Sequence, residues 1–337
     1  MESKKSSVQN LTCASFFAGV GGIDLGFSET GFFKTVYANE FDSFPQKVFE
    51  ANFDLKVDNR DIRKIRTEEV PDFDILLAGF PCQAFSIAGN RQGFDDEKGR
   101  GTLFFELLRF ITEKQPQVIF LENVKNLISH DEGRTFETII NELKKRHYYI
   151  KYSVLNASEY GNVPQNRERI YIVAFKDKNV YKNFDFPFPL KLENSLANIV
   201  NFDSKEDEKY YYREGKYKGN IYQTLLKNMD DENAVYQWRR QYVRKNKSGL
   251  IPTLTANQGE GGHNVCLVKT KYGIRKMTPR ECFNAQGFPQ TFTLPNDLAD
   301  CRLYKMAGNS VCVSVVYRIA KEIKKAIIDD METKGQV

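Results

Sequence analysis

A rhythm constrains this chain more than any single motif. From about residue 10 to residue 176, short β-rich runs alternate with longer amphipathic ones, which is how βαβ units around a parallel sheet are encoded. LTCASFF, KTVYAN, FDILLAG, QVIFLEN and RIYIVAF are the candidate strands. Between them, TLFFELLRFITEK sets Leu103, Leu107, Leu108 and Ile111 at helical spacing, and RTFETIINELKKR does the same with Phe136, Ile139, Ile140 and Leu143. Near residue 185 the rhythm stops at a proline-punctuated stretch, DFPFPLKLENS, and the chain turns tyrosine-rich, basic and irregular to about residue 270. MTPRECFNAQGFP then offers a threonine cap, a proline in the first turn and a glycine stop. The last amphipathic run, NSVCVSVVYRIAKEIKKAII, carries an apolar stripe that needs a large domain to pack against, and the first domain is the candidate.

The 337 residues suffice for one large domain plus a smaller one. With 41% hydrophobic and 28% charged residues, the chain reads as globular and not as disordered. No apolar stretch approaches the ~20 residues of a membrane span. MESKKSSVQN leads into no signal-type apolar core, so a reducing cytoplasm and no membrane partner are expected. The six cysteines, Cys13, Cys82, Cys266, Cys282, Cys301 and Cys312, form no CxxC pair and have no histidine at ligand spacing. Neither a disulfide nor a metal is expected, and most of these thiols read as core residues. A net charge of +5 is compatible with nucleic acid without arguing for it.

The first strand runs into FFAGVGGIDLGF, where Gly19, Gly21 and Gly22 allow a tight turn and close approach of a ligand at the mouth of a parallel sheet. The spacing departs from the dinucleotide fingerprint, because Asp24 stands where its third glycine would fall, and a pyrophosphate cradle is disfavoured. YANEFD puts Glu40 at a strand end, placed to accept both hydroxyls of a ribose. NRDIRKI puts Asp61 at what reads as a third strand end, suited to an exocyclic amine on an adenine. Glycine turn, Glu and Asp, about one βα unit apart, suggest a nucleoside cofactor without a diphosphate, such as S-adenosylmethionine.

In GFPCQAFSIAG, Pro81 stiffens the backbone before Cys82, which would lie at the carboxyl end of a fourth strand. Alone, such a thiol reads as an inert buried cysteine. Beside a sulfonium donor it reads as a nucleophile, since addition of sulfur to carbon 6 of a cytosine makes carbon 5 enamine-like and able to take a methyl group. FLENVKNL places Glu122 among apolar residues that should raise its pKa and let it share a proton with ring nitrogen 3. YGNVPQNRERIYIVAF carries Gln165, Arg167 and Arg169. A fixed guanidinium there can hold a base carbonyl or a phosphate. Of the two arginines, Arg167 is favoured, and Arg169 reads nearly as well as a plain salt bridge.

FFAGVGGIDLGF, YANEFD, RDI, GFPCQAFSIAGNRQGFDDEKGRGTLFFE, LENVKNL, VPQNRERIYIVAF, RKMTPRECFNAQGFP and YKMAGNSVCVSVV stand in one order over almost the whole chain. In that order the chain resembles the bacterial cytosine-5 DNA methyltransferases of restriction-modification systems. The resemblance implies an α/β fold of the Rossmann-like class I methyltransferase type with a mostly parallel sheet, plus a smaller, irregular target-recognition domain. It divides the chain into a catalytic, S-adenosylmethionine-binding domain (1–185), the recognition domain (186–277), a hinge (278–304) and a C-terminal segment returning to the catalytic domain (305–337).

Position by position, the resemblance implies that Cys82 is the nucleophile, Glu122 the partner of ring nitrogen 3, and Arg167 a base-orienting group assisted by Arg169. S-adenosylmethionine would be lined by Phe17, Gly19, Gly21, Gly22, Glu40, Asp61, Ile62, Pro81 and Leu103, with Asn309 and Ser310 closing its pocket. Arg60 departs from the family, which commonly has Gly before Asp-Ile. The expected DNA contacts are Ser86 and Arg100 in a closing loop, Gln165, then Arg239, Arg240, Arg244 and Thr253. The last four lie in QWRRQYVRKNKSGLIPTLTANQ, which has no acidic residue and interleaves Trp238 and Tyr242 with basic side chains, a composition suited to phosphate contact and groove reading. A cytosine inside a duplex is out of reach of Cys82, so the base must be everted at a cost of a few kcal/mol, on the order of lost stacking and pairing. Double-stranded DNA is the expected partner, a cognate restriction endonuclease the functional companion, and a monomer the expected state. The rivals are a transfer-RNA cytosine-5 methyltransferase and a catalytically silent DNA-binding homologue.

Overall fold

The apolar runs of the first 176 residues become strands of one sheet. The computed structural model describes residues 10–81, 103–217, 219–239, 241–258 and 266–335. In chain order the strands are β1 (Leu11–Phe16), β2 (Phe33–Asn39), β3 (Ile75–Gly79), β4 (Val118–Val124), β5 (Tyr149–Asn156), β6 (Gln165–Asn166) and β7 (Glu168–Phe175). They continue with β8 (Tyr236–Arg239), β9 (Tyr242–Lys245), β10 (Ile251–Pro252), β11 (Cys266–Thr270) and β12 (Gly273–Lys276). The helices are α1 (Gly22–Ser28), α2 (Ser43–Glu50), α3 (Leu103–Lys114), α4 (Arg134–Lys145), α5 (Ala157–Tyr160) and α6 (Lys178–Asn183). After them come α7 (Ile221–Asn228), α8 (Pro279–Asn284), α9 (Asp300–Asn309) and α10 (Val313–Thr333).

By packing, the chain divides into two units: residues up to Leu155 with Glu168–Phe188 and the chain from Val315, and Asn156–Arg167 with Pro189–Ser314. The first unit holds a six-stranded sheet in the order β2-β1-β3-β4-β7-β5. β2, β1, β3 and β4 run parallel, and β7 is antiparallel to β4. The four apolar residues that open β4, Val118 to Leu121, are all buried, as a strand covered on both faces requires. On one face Leu107, Leu108, Ile111, Ile139 and Leu143 of α3 and α4 pack on Ala14, Leu76, Ile119 and Ile172. α1 and α10 cross closely, since a Cβ on Gly26 would stand 2.8 Å from Val316 Cγ1. The stripe of α10 that called for a large domain, Val316, Ile319, Ile323 and Ile327, is buried.

β5 is absent from the sequence candidates for a physical reason. It is an edge strand whose Tyr149 and Tyr152 are exposed, so its apolar alternation is weak. Asp61 also differs from expectation. Its segment forms no strand beyond a bridge between Asn39 and Asp58, and Asp61 caps a 3-10 turn over Ile62–Lys64.

The second unit is more regular than its sequence reads. A four-stranded antiparallel sheet, β12-β11-β8-β9, packs with α7 around Tyr212, Leu225, Met229, Tyr236, Leu267 and Ile274. α8 starts as its sequence prescribes: Thr278 and Glu281 cap each other and Pro279 sits in the first turn. Residues 156–167 and 278–304, read from the sequence as catalytic domain and hinge, both pack within this unit. The reason for the first is pairing, because β6 runs parallel to β10 with Gln165 opposite Ile251.

Candidate active site

The parallel strands deliver their carboxyl ends to one edge of the first unit's sheet, the edge where α/β proteins bind ligands. β1 leaves through Phe17 (φ 54°), Gly19 (φ 57°) and Gly21 (φ 86°) into α1. The two glycines are required for different reasons. At Gly21 a Cβ would stand 2.3 Å from the Phe53 ring, whereas at Gly19 nothing lies within 4 Å, leaving room for a ligand at the turn. Gly22 opens α1, whose first turn carries Asp24 fully buried. The hydroxyls of Ser15 and Thr35 each donate to Asp24 at 2.9 Å, and burial outweighs them, pushing its carboxyl up to about 6.

At the end of β2, Glu40 is set by backbone: Gly19 N–H donates to Oε2 at 2.9 Å and Asp42 N–H to Oε1 at 2.8 Å. Asn39 beside it donates to the carbonyls of Asp58 and Arg60, both at 2.8 Å, and so ties the end of β2 to the segment that carries Asp61. The Asp61 carboxylate is gripped by the guanidinium of Arg63 and held below its usual range chiefly by that bond. Ile62 is buried in the core and Leu103, at the start of α3, packs against it. Arg60 is drawn away to Asp58 and Glu69. Phe17 also packs against that core, and Pro81 is exposed.

Glu122 stands in register with Gly79, the last residue of β3. It is 8% exposed, and one of its oxygens would lie 3.6 Å from a Cβ on Gly79. Glycine at 79 therefore adds no side chain beside the carboxylate. Arg169 Nε lies 3.2 Å from Glu122 Oε1. On antiparallel β7, Tyr171 is opposite Glu122 and Arg169 opposite Val124, which puts Arg169 diagonally across from the acid on the same face. Asn123 donates from Nδ2 to the Phe80 carbonyl at 2.8 Å, fixing the chain as it leaves β3 towards residue 82. Asn123 is not singled out by the sequence, although an Asn directly after a strand-end Glu is the available signal. Cys82, Ser86, Arg100 and Arg240 lie outside the described residues.

Two of the expected site residues are engaged by protein groups. Arg167 is 2% exposed and lies in the second unit, where its guanidinium donates to the carbonyls of Leu254 and Gly308, each at 3.1 Å, and to that of Ser310. Arg169, rated second from sequence, is the arginine at the acid. Gln165 is fully buried, with its amide between the Ala285 carbonyl at 2.5 Å and the Leu254 N–H at 3.3 Å.

Also in the second unit, Thr253 donates its hydroxyl to the Asn166 carbonyl at 2.6 Å. Asn309 is exposed and Ser310 half-buried. Register places Arg239, Tyr242 and Arg244 on one face of the β8–β9 hairpin, opposite the face on which Trp238 and Val243 meet the core. Tyr242 is 59% exposed, and Lys245, on the core-side register, is paired with Asp230 and Asp231. Among the described residues no group of three His, Cys, Asp or Glu is placed to hold a metal, and no helix is long and apolar enough to cross a membrane.

A mostly parallel sheet with a glycine turn, an acid at the next strand end and an arginine-braced Glu belongs to the class I methyltransferase type of α/β fold. The chain matches the family described as C-5 cytosine-specific DNA methylase over residues 11–325, and it belongs to that family. It is 57% identical over 318 residues to the Type II methyltransferase M.Bsp6I of Bacillus sp. (strain RFL6), covering 94% of this chain and 100% of that protein. It is 38% identical over 336 residues to the Type II methyltransferase M.HhaI of Haemophilus parahaemolyticus, covering 97% and 98%. Among solved structures, the Entamoeba histolytica methyltransferase EhMeth shares the fold with a TM-score of 0.71 at 20% identity, over 96% of this chain and 99% of that one. The chain is a DNA (cytosine-5-)-methyltransferase of the restriction-modification type.

Proposed function

We propose that the protein methylates carbon 5 of an everted cytosine within a short, specific duplex DNA site, through a transient Cys82 adduct and with S-adenosylmethionine as donor, and that this protects host DNA from a cognate endonuclease. One observation carries the reading. Glu122 is braced by Arg169 over the bare backbone of Gly79, three residues before Cys82.

The cofactor's fit rests on the open space at Gly19 and the backbone-set carboxylate of Glu40, the right acceptor for ribose hydroxyls. Phe17, Gly21, Gly22, Asp61, Ile62, Pro81 and Leu103 complete the proposed pocket in the first unit. Bound there, S-adenosylmethionine would supply an electrophilic methyl group on a sulfonium. The Cys82 thiolate forms the bond from sulfur to carbon 6, and the electron pair released into the ring reaches nitrogen 3, where Glu122 in its acid form gives a proton. Arg169 holds Glu122 in place and presents its cation to the base carbonyl. A base, through water, removes the carbon 5 proton, the bond to sulfur breaks to restore the thiolate, and the proton on nitrogen 3 returns to Glu122. Arg239, Tyr242 and Arg244 share a face suited to phosphates.

Bisulfite sequencing of DNA from a host expressing the gene tests this. The expected result is one short sequence context methylated at a fixed cytosine, abolished by Cys82→Ala. Methylation confined to transfer RNA, or undiminished in Cys82→Ala, would overturn it.

A further inference from the structure

We propose that Arg167 is a positioning residue for DNA recognition: by clamping three backbone carbonyls, it fixes the course of residues 253–258 and so sets affinity and discrimination for duplex DNA. The inference rests on the reading above that this segment meets DNA.

The two terminal nitrogens of the buried Arg167 guanidinium donate to the carbonyls of Leu254, Gly308 and Ser310, none of them anionic. Its charge thus joins the end of β7's preceding segment, the chain after β10 and the end of α9. Gly308 supplies an independent constraint at the same place. A Cβ there would stand 2.3 Å from the Thr255 carbonyl carbon, 2.4 Å from its oxygen and 2.5 Å from Ala256 N. All three are backbone atoms, so no flexible side chain can give way. Neighbouring bonds extend the clamp: Ile251 N–H donates to the Pro164 carbonyl at 2.6 Å, Gln165 Oε1 accepts from Leu254 N–H, and Gln286 donates to the Ala307 carbonyl at 2.8 Å. The chain from 251 to 256 is therefore held on both sides, by the arginine and by the glycine contact. Thr253, the expected phosphate contact, lies inside that stretch. An arginine so engaged acts through the backbone it holds, and the base carbonyl is left to Arg169.

The test uses full-length wild type, Arg167→Lys, Arg167→Ala and Gly308→Ala on unmethylated plasmid DNA, with steady-state kinetics and bisulfite scoring of off-site cytosines. Arg167→Ala and Gly308→Ala are each expected to raise the DNA KM about tenfold or more and to raise the ratio of off-site to on-site methylation, with kcat at saturating DNA and the S-adenosylmethionine KM within about twofold of wild type. Arg167→Lys, which keeps the charge and can serve fewer carbonyls, should fall between. Combining Arg167→Lys with Gly308→Ala should give less than the product of the single effects, because both act on one segment. If Arg167→Ala fails to fold, the lysine and glycine variants decide the matter. A kcat loss of about a hundredfold at unchanged DNA KM would overturn the proposal by placing the guanidinium on the base. Unchanged DNA KM and unchanged discrimination in Arg167→Lys and Gly308→Ala, with wild type active, would overturn it as well. A wild type that methylates no cytosine would instead sink the functional reading beneath it.

Discussion

Each unit contains a Glu braced by an Arg, and the two pairs are built to opposite ends. In the second unit Arg275 and Glu281 are almost completely buried and meet through two bonds of 2.7 Å. Thr278 N–H and Asn201 N–H fill the carboxylate at 2.8 and 2.9 Å, while the guanidinium also reaches the carbonyls of Lys276 and Asn201. That pair is sealed from water and ties β12 to the start of α8. In the first unit Glu122 and Arg169 meet at 3.2 Å, and the neighbouring strand position is a glycine that contributes no side chain. The difference shows how burial serves two purposes. A buried, doubly bonded ion pair holds architecture, and the looser Glu122–Arg169 pair is the one proposed above to take part in proton transfer.

The sharpest break of this comparison is Glu122→Gln. It should lower kcat by about 10²–10⁴-fold, the usual worth of a positioned acid, while the thermal midpoint moves less than about 2 °C. A methyl-transfer assay beside a melting curve checks both, and an active Glu122→Gln enzyme would erase the distinction. Glu281→Ala should do the reverse, costing about 3 kcal/mol or more in urea unfolding because it strands the Arg275 charge. If stability were untouched, the closed pair would have no architectural role.

Asp24 supplies a third kind of buried acid, held by two hydroxyls and no cation. Its carboxyl is raised from 3.8 to about 6, so the folded protein keeps a proton that the unfolded chain has already lost, and stability from this group falls as pH rises from about 4 to 6. Asp24→Asn should therefore gain about 2–3 kcal/mol over wild type at pH 7 and lose that advantage near pH 4. Urea titrations at the two pH values measure it, and a gain that grew on acidification would contradict the sign. The smallest effect is expected at Gly19→Ala, about 1 kcal/mol of backbone cost with no clash. Its larger consequence should be a raised S-adenosylmethionine KM, whereas Gly21→Ala should destabilise the fold first because Phe53 is in the way.

Much of the proposed site is legible in the sequence. The glycine turn, Glu40 and Glu122 all follow apolar runs long enough to be strands, and a parallel sheet brings such ends to one edge. The arginines were not separable that way. Arg167 and Arg169 are two residues apart, and residues so spaced share a face only if one strand contains both. Here β7 begins at Glu168, between them, and Arg167 is carried off with β6 into the other unit. Asp61 was misplaced because a strand was assumed where KVDNRDIRKI has too few apolar residues to be one. Gln165 looked like a surface amide, and only its bonds to Ala285, more than a hundred residues away, bury it.

What the sequence determined by itself was the order of strands and helices, the acid and glycine positions at strand ends, and the membership those motifs imply, since each depends on local periodicity or on short fixed spacing. The tertiary structure decided which arginine braces Glu122, which backbone Arg167 clamps and which acids are sealed from water. Those outcomes depend on contacts between residues far apart in the chain, and hydrogen-bond partners at that range leave no local pattern to read.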